Sequence, residues 1–168
     1  MPDASNNRFP MIHEFKQAEF SRLGYTARWV SIFNHWLSEE EAATSKVMCY
    51  DLSVRAGASA EYLAGEQKLL SFYTKLFRDG AVQHLVPWCE DEPIQIIHHA
   101  RFDARLLKVV VTSLRHGKGG DLMDCYVPHR SLRVLGGNDR TDLLLFEDAS
   151  VISEIEQLAH GCGLSVLA

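Results

Sequence analysis

Residues 115–130, RHGKGGDLMDCYVPHR, gather the side chains most able to do chemistry in this chain. Arg115, His116 and Lys118 sit among glycines, the composition of a loop whose backbone N–H groups can approach an anion. Cys125 beside a histidine would form a nucleophile with its base. His98 and His99, in the upstream segment IQIIHHARF, could pair with His116 as general acid and base on an anionic substrate held by Arg115 and Lys118. The candidate catalytic residues are therefore His98, His99, His116 and Cys125, and the candidate ligand-binding residues are Arg115 and Lys118.

Spacing narrows these options. A nucleoside-triphosphate loop requires G-x-x-x-x-G-K-[ST] running into a helix. Here Lys118 lies between glycines, and Gly120 is followed by Asp121. Over about six residues RHGKGGD resembles the acyl-CoA pyrophosphate loop of N-acetyltransferases. That resemblance implies a helix opened by the glycines, where this chain has the strand-like DLMDCYVPH. YDLSVRAG is similar to the D-x-S-x-x-G element of cyclic-di-GMP-binding PilZ domains, but its glycine stands one place too far along and no R-x-x-x-R box precedes it. No family is assigned on either stretch. For a metal, Cys125 and His129 are four apart, and an extended chain holds such residues ~13 Å from each other. Adjacent histidines on a strand point to opposite faces. The sequence therefore predicts neither a metal site nor a cofactor, and GKGG is predicted to be a hairpin turn.

The elements that must position these residues follow from periodicity. A short helix is predicted within residues 10–24, with Gly24 as its stop. Residues 25–37 carry Trp29, Ile32, Phe33 and Trp36 at helical spacing and are predicted helical, although their aromatic and β-branched content suits a strand. Ser38 and Glu41 form a capping-box pattern that starts a helix ending near residues 52–57. Ser59 is predicted to cap the clearest helix, whose apolar stripe runs from Tyr62 to Phe77 and which Gly80 ends. Residues 81–93 read as a connection, with a soft boundary at 87–93 between Pro87 and Pro93. Strands are predicted in IQIIHHARF, RLLKVVVTSLRH, DLMDCYVPH, SLRVL and RTDLLLFED, then a helix from 148 to 160 and a last short strand. The whole is predicted to be a single α+β domain over residues 1–168, with N-terminal helices packed on a C-terminal antiparallel meander of about five strands, one C-terminal helix, and a loose N-terminus at 1–9.

Charge and cysteine content bound the function. The formal net charge of −5 disfavours duplex DNA and anionic membranes as partners. From 101 to 140 there are eight Lys/Arg against four Asp/Glu, a net +4; from 141 onward there are five Asp/Glu and no Lys/Arg, a net −5. The four cysteines are scattered without a C-x-x-C pair, and no secretory leader or membrane-length apolar run is visible. The expectation is a cytoplasmic protein with free thiols. Without strong catalytic spacing, the first expectation is a non-enzymatic partner-binding protein of the immunity, inhibitor or adaptor type. Its acidic C-terminal helix (Glu147, Asp148, Glu154, Glu156) would face a basic toxin or effector. The alternatives are a small enzyme acting on an anionic substrate through the histidine-bearing basic hairpin, and a homo-oligomer that covers an edge strand with its own copy.

Overall fold

The computed structural model describes residues 9–12, 14–85, 95–115, 122–137 and 139–168. Among them one antiparallel sheet of seven strands is backed by helices. In chain order the elements are α1 (Gln17–Arg22), β1 (Thr26–Ser31), α2 (Glu39–Thr44), α3 (Tyr50–Arg55), α4 (Ser59–Leu76), β2 (Ala81–Leu85), β3 (Gln95–His99), α5 (Ala104–Arg115), β4 (Asp124–Val127), β5 (Leu132–Leu135), β6 (Thr141–Phe146), α6 (Ile152–Gly161) and β7 (Ser165–Leu167). The strand order is β3-β2-β4-β5-β6-β1-β7. The mixed helix-and-sheet class is as predicted, but the sheet has seven strands rather than about five and draws on both halves of the chain.

Side-chain alternation divides the sheet into two faces. Cys125, Val127, Leu132, Val134, Leu144 and Phe146 point to one face and pack with Leu69, Phe72, Tyr73 and Leu76 of α4, Leu106 and Val110 of α5, and Ile155 and Ala159 of α6. The opposite face carries Ala27, Leu143 and Leu145 under Phe20 of α1 and Tyr25, and Val82 and Tyr126 under Phe9. Phe9, at the end of the segment predicted to be loose, is thus buried.

Three segments differ from the sequence expectation. Residues 26–31 form β1, not a helix, because they pair with β6 on one side and β7 on the other. Their alternation places Ala27 and Trp29 on one face and Val30 on the other. The segment RLLKVVVTSLRH (105–116), predicted as a strand, falls in α5 through Arg115. Asp103 Oδ1 accepts from the N–H groups of Arg105 (2.9 Å) and Leu106 (3.1 Å), and Leu106, Val110 and Ser113 recur at helical spacing as its buried stripe. Residues 81–85, predicted as connection, form β2 between β3 and β4. Gly80 before it has φ +97, and a Cβ there would stand 2.3 Å from the His99 carbonyl oxygen.

The capping box at Ser38 forms as predicted. The Ser38 hydroxyl accepts from Glu41 N (3.2 Å), and the Glu41 carboxylate accepts from Ser38 N (2.8 Å). The helix it starts, however, stops at Thr44, and a second, α3, follows. Ser59 is the first residue of α4 rather than its side-chain cap. The soft boundary at 87–93 lies outside the described residues. So do residues 116–121, where a hairpin turn is predicted; the described elements before and after them are α5 and β4, a helix and a strand.

Candidate functional site

The sequence candidates separate in space. Cys125 is buried on the helix-facing side of β4, and burial pushes its thiol pKa up, away from the nucleophilic thiolate. His98 and His99 alternate across β3. The His99 ring is buried and 3.0 Å from Gln83 Oε1, and burial lowers its pKa. Both histidines do line one open cleft of about 360 Å³, with Val82, Pro128, His129 and Asp79. His129 Nε2 is 4.0 Å from Asp79 Oδ2 there. Among the described residues no three His, Cys, Asp or Glu side chains are grouped to hold a metal ion. His116 and Lys118 lie outside the described residues.

The acidic candidates are largely answered within the chain. Tyr126 donates to Glu147 Oε2 at 2.9 Å. Asp148 accepts from Ser150 N at 2.8 Å, which holds its carboxyl below the usual range. Glu154 pairs with Arg130, and Glu156 Oε1 lies 3.7 Å from Arg28 Nε.

Arg115 leads elsewhere. It is the last residue of α5, and its Nε and Nη2 donate to the two oxygens of Glu66 at 2.8 and 2.7 Å. That bidentate pair raises the Arg115 pKa above its ordinary value. Its guanidinium carbon also stands 4.9 Å over the ring of Tyr50, the first residue of α3. Glu66 is only 3% exposed and sits one helical turn after Tyr62 on α4. The Tyr62 hydroxyl donates to the Leu114 carbonyl (2.8 Å), tying α4 to α5, and its ring meets Tyr50 edge-on at 5.4 Å.

Arg140 enters the same corner from the turn before β6. Its backbone is left-handed, φ 63, a costly conformation for a non-glycine residue. Its guanidinium carbon stacks 3.9 Å over the Tyr62 ring, and Nη1 donates to the Tyr62 carbonyl at 3.2 Å. Arg140 is 3% exposed, and its Nε and Nη2 have no hydrogen-bond partner among the described residues. Burial lowers its pKa, and the nearby charges of Tyr62, Glu66 and Asp142 only partly offset this. Gly65 is what lets the guanidinium in: a Cβ there would stand 3.0 Å from Arg140 Nη2 and 3.3 Å from Ile32 Cδ1.

Of the sequence candidates that are described, only Arg115 belongs to this corner. Arg140, Glu66, Tyr62 and Tyr50 were missed. One signal was readable: a lone glycine in the middle of the clearest helix pattern, which usually marks a close approach. Comparison with models of protein families, with curated proteins and with solved structures finds no match.

Proposed function

We propose that this is a non-enzymatic binding protein that receives an anionic group at the corner formed by Arg115, Glu66, Tyr62 and Arg140. The observation that carries this is a guanidinium buried with two nitrogens unpartnered among the described residues, beside a second guanidinium already fixed by its own carboxylate. Buried polar groups are nearly always paired, and the exceptions concentrate where function needs them. Binding rather than catalysis fits the surroundings. No described histidine hydrogen-bonds to any of these side chains, and Cys125 faces the core. A protein partner of the immunity, inhibitor or adaptor type falls within the same proposal if it brings the anionic group itself. A basic partner steered by Glu147, Asp148, Glu154 and Glu156 has less support, because Arg130 and Arg28 already meet two of those charges.

The test is a thermal-shift screen of small carboxylates, phosphate esters and sulfonates, followed by mass spectrometry of each stabilising compound after long incubation. A subset should raise Tm and be recovered unchanged. Conversion of a stabilising compound would replace binding with an enzyme acting on an anionic substrate. A flat response to every anion would remove the proposal.

A further inference from the structure

We infer that Arg140 is a carboxylate-binding residue, taking the two oxygens of a small carboxylate on its Nε–Nη2 edge. This rests on the proposed anion-binding role of the corner and names the chemistry of its ligand. In an arginine the Nε–H and one Nη–H bond run parallel, a spacing that matches the two oxygens of one carboxylate. Two other arginines of this chain use that edge in that way. Arg133 donates from Nε and Nη2 to the two oxygens of Asp124 at 2.9 and 2.8 Å, and Arg115 does the same to Glu66 at 2.8 and 2.7 Å. In Arg140 the same two nitrogens are the ones buried without a partner among the described residues, while Nη1 is spent on the Tyr62 carbonyl.

The surroundings hold this edge in place. Stacking on Tyr62 and the Nη1 bond fix the plane of the guanidinium, so a ligand meets a preorganised pair of donors. The missing side chain at Gly65 lets Nη2 lie close to α4: a Cβ there would stand only 3.0 Å from it. Neither neighbouring carboxylate fills the role. Glu66 is taken up by Arg115, and Asp142 accepts from the Tyr73 hydroxyl and from Gly137 N (2.8 Å).

The probes are sodium formate and sodium acetate, against sodium phosphate and sodium chloride at equal ionic strength, with Tm as readout. At about a hundredfold excess over Kd, formate or acetate should raise the Tm of the full chain by roughly 5–10 °C. Arg140→Met should abolish that rise, and Arg140→Lys, which keeps the charge but loses the paired edge, should weaken it at least tenfold. Gly65→Ala, whose Cβ would stand 3.0 Å from Nη2 and push the guanidinium out of place while favouring the helix, should abolish it too. Three results would overturn the inference: equal stabilisation by all four salts, as for a guanidinium satisfied by water; a response to phosphate alone; or an acetate response that survives Arg140→Met. Stabilisation by larger anions that persists in Arg140→Met would leave the corner as an anion site and remove Arg140 from it. No response to any anion would remove both.

Discussion

Arg133 and Arg140 are both buried under aromatic rings, on opposite sides of one sheet, and their surroundings treat them differently. Arg133 lies below Phe9, its guanidinium carbon 5.4 Å from the ring. Its Nε and Nη2 hold Asp124, and Nη1 donates to the Pro10 carbonyl at 2.8 Å. His84 Nδ1 meets the same aspartate at 2.9 Å, and Phe9 stacks on the His84 ring. Burial works against both charges, yet the pairing outweighs it: the Arg133 pKa is raised and the Asp124 pKa lowered. Around Arg140 burial prevails, and the nearby buried carboxyl of Asp142 is pushed up to about 6, mainly by the same cause. A closed ion network pins the N-terminal segment to the sheet. The open one on the other side keeps donors in reserve. The contrast separates an arginine satisfied by the fold from one whose Nε and Nη2 the described residues leave unanswered.

The largest expected effect tests that contrast directly. Arg133→Met leaves Asp124 buried with only His84 and should cost about 3–5 kcal/mol in urea unfolding. Arg140→Met, measured without added anion, should be neutral or stabilising, because it removes a buried guanidinium that the fold does not satisfy. Equal losses in both variants would erase the distinction.

Next is pH. The folded pKa of Asp142 lies above its unfolded value of 3.8, so its contribution is whole below about pH 4 and is lost as pH rises through about 6. The loss amounts to about 3 kcal/mol. Asp124 acts with the opposite sign, since its folded pKa is depressed: its contribution is present above about pH 4 and lost as pH falls through the folded value. Unfolding free energies between pH 4.5 and 8 should therefore fall with pH in the wild type and flatten in Asp142→Asn. An unchanged slope in that variant would assign the pH dependence elsewhere.

Two smaller effects refine the picture. Tyr73→Phe removes the hydroxyl that donates to Asp142 and should cost about 2 kcal/mol at pH 7.5, with a smaller loss at pH 4.5 where the carboxyl is protonated. Phe9→Ala uncovers His84 and Arg133 and should cost roughly 1–2 kcal/mol, with faster amide exchange in β4 and β5. A silent Phe9→Ala would mean the ion network does not depend on its cover.

Much of the fold was legible because local and global preferences agree in β4, β5, β6 and α4. They conflict in α5. Val109, Val110, Val111 and Thr112 favour a strand, but the Asp103 cap and the inward stripe of Leu106, Val110 and Ser113 prevail. In β1 the helical spacing of Trp29, Ile32, Phe33 and Trp36 is incidental: the strand ends at Ser31, so only Trp29 lies within it. The candidate corner was legible only through Arg115. The meaning of Arg140 depends on its meeting Tyr62, 78 residues earlier, and no local pattern encodes that encounter.

The place of β1 has a consequence in time. Its partners β6 and β7 come late in the chain; Ser31 and Thr141, bonded at 2.8 Å, are 110 residues apart. During synthesis β1 must wait, unpaired, until the distant strands emerge from the ribosome. Closing such long loops is slow, so the strand TARWVS exposes an unpaired edge for most of the time the chain is growing.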